Sequence, residues 1–171
     1  MKKFKPNSGF TMVELLVSLM ILGILMAAVA VAFDAAVENY TVNEGIAKTM
    51  NTARAALMRI TTELRTANSV GVIPSDDPDN TQCRFSNAAN TAFCYWYDSA
   101  NQALRLNTDG TLDDNDPVLC RNVTAVTFER SYVAGSSPTA VRNVRIVLTL
   151  TDDNGKNSRT LATAAVVRRN L

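Results

Sequence analysis

The sequence predicts an α+β fold in which one long N-terminal helix packs on an antiparallel β-sheet. An apolar stretch from Phe10 to Phe33 continues, without a proline, into an amphipathic stretch that ends near residue 67. Beyond it, short segments that alternate between apolar and polar residues are separated by turn residues, which is typical of strands. Packing the amphipathic helix on such a sheet buries the apolar face of each.

The N-terminal apolar stretch is long enough to cross a membrane. It has about 24 residues with a single charge at Glu14, and as a helix it would rise about 36 Å. A hydrocarbon core is about 30 Å thick, whereas a secretory signal needs only about 7–15 apolar residues. The basic residues Lys2, Lys3 and Lys5 predict that the N-terminus stays in the cytoplasm and the remainder lies outside the inner membrane.

Glu14 is the unusual residue of this stretch. A carboxylate near one end of an apolar helix is costly in lipid unless it is paired. Cleavage after Gly9 would create a suitable cation, the α-amino group of Phe10, which another subunit could bring to Glu14. Two alternatives remain: the glutamate reaches the headgroup level of the membrane, or the helix is an uncleaved signal anchor, which its length alone does not exclude.

The second half of the helix carries an apolar stripe. Its members are spaced alternately by four and three residues, so they share one helical face. They are Ile46, Met50, Ala53, Leu57, Ile60, Leu64 and Ala67. The alternative is a free coiled coil, but the stripe is short and contains alanines, which favours packing on a sheet.

The region after residue 67 reads as a meander of four to six strands. Strands are predicted at 83–85, 93–97, 103–106, 118–133, 141–150 and 159–168, with a hairpin turn at 153–156. An acidic segment between two of them holds Asp109, Asp113, Asp114 and Asp116. Oxygen clusters suit calcium, but the spacing does not match a calcium-binding loop, which favours an acidic turn between strands over a calcium site.

Composition weighs against enzymes and nucleic-acid binding. The chain has 17 basic and 16 acidic residues, and such a balance lacks the basic face that nucleic acids require. Histidine is absent, which excludes Ser-His-Asp, Cys-His and histidine-ligated zinc sites. The carboxylate pairs Asp76-Asp77 and Asp113-Asp114 lie in loop-like runs. We therefore predict a protein that is not an enzyme and needs no cofactor or metal.

The three cysteines predict one disulfide and one free thiol. They are Cys83, Cys94 and Cys120, and an exported domain favours oxidation. Cys83–Cys94 and Cys94–Cys120 are both plausible pairs. Three buried, reduced thiols are the alternative.

The run Gly9-Phe10-Thr11-Met12-Val13-Glu14, followed by Leu15-Leu16-Val17, resembles the cleavage and methylation motif of type IV pilin-like prepilins. The resemblance implies that a prepilin peptidase cuts after Gly9 and N-methylates Phe10, and that Glu14 forms a salt bridge with the N-terminus of a neighbouring subunit. It also implies the pilin fold, divided into a leader at 1–9, a transmembrane or filament-core helix half at 10–34, an amphipathic half at 35–67 and a globular sheet domain at 68–171.

The C-terminal part adds a finer resemblance. The alternating pattern R-x-V-x-I-x-L-x-L at 142–150 and the run LATAAVVRRN at 161–170 are similar to minor pilins of the PilW type and to J-class minor pseudopilins of type II secretion. Arg54, Arg59 and the ELR-x-A run at 63–67 fit these groups as well.

This resemblance implies a structural subunit that is built into a pilus or pseudopilus, at or near the tip, and helps to initiate assembly. The implied partners are the prepilin peptidase, other pilins or pseudopilins, an inner-membrane platform protein and membrane lipid. The alternative is a membrane-anchored extracytoplasmic binding or adhesion module, with Tyr95-Trp96-Tyr97 supplying contacts.

Overall fold

A computed structural model describes residues 9–72, 77–135, 140–152, 155 and 157–167. The predicted leader up to residue 8, Asp76 and most of the predicted turn at 153–156 lie outside this part of the chain. The chain forms two compact units, Met1–Asn43 and Glu44–Leu171.

One helix, α1, runs from Met12 to Thr66, close to the predicted bounds of about 11 and 67. In the first unit the helical side chains are exposed, apart from the half-buried Val42. In the second unit α1 buries one face, formed by Ala53, Ala56, Leu57, Ile60 and Leu64. The predicted stripe is therefore buried from residue 53 onward, while its first two members, at positions 46 and 50, are half-buried.

The strands form two antiparallel sheets. The first sheet contains β1 (Ser69–Val70), β2 (Gln82–Ser86), β3 (Ala92–Asp98), β4 (Ala103–Asn107) and β5 (Val118–Cys120), in that order. The second contains β6 (Val123–Tyr132), β7 (Val141–Thr151) and β8 (Ser158–Val166), also in sequence order. The predicted α+β class is confirmed, although the described residues form eight strands in two sheets rather than one meander of four to six.

A single backbone conformation divides the predicted strand at 118–133. Asn122 has a φ of 59°, a left-handed conformation that asparagine tolerates better than most residues. The chain turns there: the amide of Val123 donates to the carbonyl of Gln102 at 2.9 Å, and the amide of Thr151 donates to that of Asn122 at 2.9 Å. β6 consequently leaves the edge of the first sheet and starts the second.

The two sheets are joined by hydrogen bonds at the start of β2. The Phe128 amide donates to the Asn80 carbonyl at 2.8 Å, and a guanidinium nitrogen of Arg130 donates to the Gln82 carbonyl at 2.6 Å. Both sheets contribute to one apolar core with the buried face of α1. Phe85 and Tyr95 of the first sheet stack at 5.3 Å between ring centres, and Phe128 of the second is fully buried.

A polar contact links the helix to the first sheet. The Tyr95 hydroxyl donates to the Glu63 carboxylate on α1, which also accepts from Arg59 at 2.8 Å. Burial of the Tyr95 hydroxyl is the largest cause that raises the pKa of Tyr95, and the contact with Glu63 is the second. The hydroxyl therefore remains a hydrogen-bond donor at physiological pH. This bond positions the buried face of α1 against the sheet, because Glu63 lies beside Leu64 of that face.

The structure does not support the predicted disulfides, because the cysteines lie on different faces of the first sheet. All three are buried free thiols. Residues paired across antiparallel strands share a face: Cys83 pairs with Tyr95 and faces the core, whereas Cys94 pairs with Arg84 on the other face. Cys120 pairs with Leu104 and lies on the core side, so Cys94 reaches neither of the others. Three reduced thiols, the alternative, agree with the structure.

We predict that Ile60→Ala lowers the free energy of unfolding by about 2–5 kcal/mol, because it leaves a cavity in the core. Met58→Ala, two residues away on the exposed face, is the matched control and should change it by no more than about 0.5 kcal/mol. Urea unfolding of the full chain in detergent micelles, followed by tryptophan fluorescence, measures both. Equal losses would contradict the orientation of α1.

We also predict that the native thiols resist alkylation at pH 8. Burial raises the pKa of Cys83 to about 12 and those of Cys94 and Cys120 to about 11, so little reactive thiolate forms. Iodoacetamide should label all three only after denaturation, and a non-reduced peptide map should contain no cysteine-linked peptides. A linked peptide containing Cys94 would restore the disulfide prediction.

Candidate processing and assembly site

The predicted cleavage site precedes the helix. Gly9 and Phe10 are exposed and lie outside regular secondary structure, and α1 begins at Met12. The peptide bond between Gly9 and Phe10 is therefore neither buried in the core nor held by helical hydrogen bonds, so its geometry leaves it open to a peptidase.

Thr11 and Glu14 start the helix together. The amide of Glu14 donates to the Thr11 hydroxyl oxygen at 3.3 Å, and the amide of Leu15 makes the first helical bond to the Thr11 carbonyl at 3.2 Å. A threonine followed three residues later by glutamate is the capping-box pattern, and an acidic side chain in the first turn also complements the helix dipole. Sequence reasoning missed this local role, although the T-x-x-E spacing signals it.

The Glu14 carboxylate remains available to a partner. It is exposed, and none of the ion pairs among the described residues involves it. Capping uses the backbone amide of Glu14, so the same residue can begin the helix and still offer a negative charge to another molecule.

The part of α1 that follows the helix start presents an apolar surface. Large side chains between Met12 and Phe33 are about half to more than four-fifths exposed. Within the described residues, α1 is one helix that is long and apolar enough to cross a membrane, as judged by length and composition. Such a surface requires lipid or neighbouring apolar helices, because exposed apolar area is costly in water.

The acidic segment between β4 and β5 covers the outer face of the first sheet. Asp116 accepts from the Trp96 indole at 2.8 Å and from the Asn107 amide at 3.0 Å. Arg105, which is buried, donates to the backbone carbonyls of Asp114 and Asp116 at 2.8 and 2.9 Å. It also pairs with buried Asp98 at 2.7 Å.

These contacts favour the acidic turn over the calcium site. Asp109 and Asp113 each accept a backbone amide of their own loop at 2.9 Å. No group of three potential metal ligands occurs among the residues that the structure describes. Burial acts to raise the pKa of Asp98, but hydrogen bonds from Asn101 and Arg105 outweigh it and lower that pKa, which keeps the carboxylate charged for its ion pair.

The aromatic run on β3 is also engaged internally. Tyr95 contacts Glu63, the Trp96 indole contacts Asp116, and the Tyr97 hydroxyl donates to the Thr124 carbonyl at 2.9 Å. Each polar ring atom therefore has a partner within the domain, and the rings join elements of the fold. Similarly, Asp77 is buried and accepts from Thr81 and Gln82, so it shapes a loop.

Comparisons with known proteins identify the N-terminal segment. The family described as "Prokaryotic N-terminal methylation motif" matches residues 4–30, which include Gly9, Phe10 and Glu14. No curated protein matches the chain, and no solved structure matches it. The chain thus carries a prepilin-type N-terminus on a long apolar helix, followed by an α+β domain, and this combination supports a type IV pilin-like protein.

Proposed function

We propose that this chain is a minor pilin or minor pseudopilin, a structural subunit of a type IV pilus or of a type II secretion pseudopilus. One observation carries the proposal: the methylation motif at residues 4–30 falls at the start of a helix that exposes apolar side chains first and enters a domain core afterwards. A subunit that is held in a membrane or filament by its apolar helix, with its folded domain outside that membrane or filament core, would have this arrangement.

Processing would create the charge that Glu14 needs. A prepilin peptidase cuts after Gly9, removes the basic leader and N-methylates Phe10. The N-terminal segment then keeps two charges, the α-amino group of Phe10 and the carboxylate of Glu14. Each is costly in an apolar filament core, and pairing between neighbouring subunits offsets that cost. The exposed apolar side chains then exchange lipid contacts for contacts with other helices.

The assignment to a minor subunit, rather than to pilin-like proteins in general, is based on the C-terminal strands. β7 and β8 contain most of the pattern that is similar to PilW-type minor pilins and J-class minor pseudopilins. In this account the protein waits in the inner membrane with its C-terminal domain outside the cytoplasm. A platform protein and other pilins or pseudopilins then take it up at or near the tip, where it helps to initiate assembly. A binding or adhesion role receives less support, because the rings of Tyr95, Trp96 and Tyr97 contact the domain itself.

Three substitutions separate the two roles of Glu14. Glu14→Ala and Glu14→Gln both remove the charge, but glutamine still suits a capping box, whereas Thr11→Ala removes the cap and keeps the charge. We expect both Glu14 variants to reduce the amount of subunit in sheared filaments at least about tenfold, which corresponds to about 1.4 kcal/mol. Thr11→Ala should have a much smaller effect.

Immunoblots of sheared filaments and membranes from a deletion strain complemented with each variant make this measurement. Intact mass confirms that every variant is cleaved. Normal incorporation of both Glu14 variants would exclude the salt bridge, and loss of Thr11→Ala alone would show that incorporation depends on the Thr11 cap and not on the Glu14 charge.

A further inference from the structure

β8 forms a long, regular edge of the second sheet. Among the strands that the structure describes, it pairs with β7 alone. Its nine residues, Ser158–Val166, stay in continuous register with β7, and none of them is a proline. A strand of this length and regularity presents a row of backbone N–H and C=O groups on its outer side, and such a row is a template on which another strand can pair.

The other sheet edges in the described part of the chain are protected. β1 has two residues and β5 has three, and the pairing of β5 with β4 shifts its register. The pairing of β6 also contains register shifts, and the Phe128 amide of β6 donates to the Asn80 carbonyl beside the first sheet. Short, irregular or covered edges resist pairing with another chain, so β8 differs from the other three.

The register of β8 determines which of its backbone groups point outward. The amide of Val167 donates to the carbonyl of Arg142, and the amide of Asp152 donates to the carbonyl of Asn157, both at 3.0 Å. Hydrogen-bonded pairs alternate along an antiparallel ladder, so the odd-numbered residues of β8 turn their backbone groups toward β7. The even-numbered residues turn theirs away from it. These are Ser158, Thr160, Ala162, Ala164 and Val166, and all five are exposed.

The other side chains of β8 indicate what an added strand should contain. Arg159 is exposed at the start of the core-facing side, where it lines a crevice with Ile46 and Met50 of α1. It forms no ion pair with any described residue. Leu161, on the same side, is half-buried. Cross-strand neighbours lie about 4.5–5.5 Å apart, so a carboxylate beside Arg159 and an apolar side chain beside Leu161 would complement this edge.

A second copy of β8 does not provide this complement. β8 contains Arg159 and no acidic residue, so two paired β8 strands would bring together positive charges without a negative one. We propose that β8 binds an extended segment of a different protein, which extends the second sheet by one antiparallel strand with an acidic residue beside Arg159 and an apolar residue beside Leu161. Antiparallel pairing is slightly more stable per residue than parallel pairing, and this mode of recognition is β-strand addition. The inference goes beyond the filament role and does not depend on it.

Hydrogen exchange with a synthetic strand tests the edge. The probe is the capped peptide TVTVTVTET, which in antiparallel pairing places valines on the core-facing side and its glutamate beside Arg159. It is added to the full chain in detergent micelles, and amide exchange is followed by NMR. We expect exchange of the outward amides of Ala162 and Ala164 to slow at least about tenfold. The amide of Thr163, which bonds to β7, should be slow with or without the peptide.

Matched variants separate backbone pairing from charge. Ala162→Pro removes an outward N–H but no bond to β7, whereas Ala162→Thr keeps that N–H. Proline should therefore weaken peptide binding at least about tenfold, and threonine should have little effect. A probe with lysine in place of glutamate should bind at least about fivefold more weakly, and Arg159→Glu should reverse this preference. Slow exchange at Thr163 in each variant verifies that the sheet is intact.

Photo-cross-linking identifies the natural occupant. The full chain with p-benzoylphenylalanine in place of Thr160 is expressed in a deletion strain of its host, membranes and sheared filaments are irradiated, and the cross-linked segment is sequenced by mass spectrometry. We expect one segment of a different protein that alternates apolar and polar residues and carries an acidic residue. Its yield should fall at least about tenfold with Ala164→Pro, which removes another outward N–H, but not with Ala164→Thr.

The outcomes separate the edge from its occupant. A peptide that does not slow the outward amides, or equal binding of the glutamate and lysine probes to the wild-type chain, overturns the proposed site. A cross-link to a second copy, no protein cross-link, or equal yields from the two Ala164 variants overturns the proposed occupant. None of these results affects the filament role, which fails separately if the wild-type chain does not enter filaments.

Discussion

The apolar surface of α1 between Met12 and Phe33 is the constraint on which the other features depend. No part of the described chain covers it, and each exposed Å² of apolar area costs about 25 cal/mol in water. The protein must therefore keep this helix in lipid or among other helices. A basic segment ahead of the predicted cleavage site, a glutamate within the first turn of α1 and a folded domain after it are all consistent with transfer of this helix from lipid to a bundle of other helices.

The same helix also stabilises the domain. From Ala53 onward its small and branched side chains enter a core shared with both sheets, and Glu63 adds a hydrogen bond to Tyr95. The domain thus depends on the second half of α1. Buried polar groups complete the domain on its outer side, where Arg105 joins Asp98 to the acidic loop. Through these contacts the acidic segment between β4 and β5 covers the outer face of the first sheet.

Sequence patterns predicted the parts of the fold that depend on periodicity. The bounds of α1 and the hydrophobic alternation of β7 follow from spacing alone, and so does the buried face from residue 53. Three features could not be read in this way. The turn at Asn122 depends on one residue in the left-handed conformation. The loop that covers the first sheet depends on the burial of Arg105, which the sequence does not distinguish from any other arginine in a strand. The face on which Cys94 lies depends on strand register, and a shift of one residue would move it to the other face.

The candidate site likewise has features that the sequence predicted and features that it did not. Gly9, Phe10 and Glu14 were identified from a short local motif, and the family match covers them. The capping contact between Thr11 and Glu14 was also local, and its spacing could have revealed it. In contrast, the partners of Tyr95, Trp96 and Tyr97 depend on strand register and on the loop between β4 and β5, so the aromatic run alone did not reveal them.

The central claim is that the chain is processed as a prepilin, and the intact mass of the protein from its native membrane tests this most directly. Together with sequencing of the N-terminal peptide, it should show a chain that begins at N-methylated Phe10. A chain that still begins at Met1, in a host with an active prepilin peptidase, would contradict the account and leave a signal-anchored domain in its place.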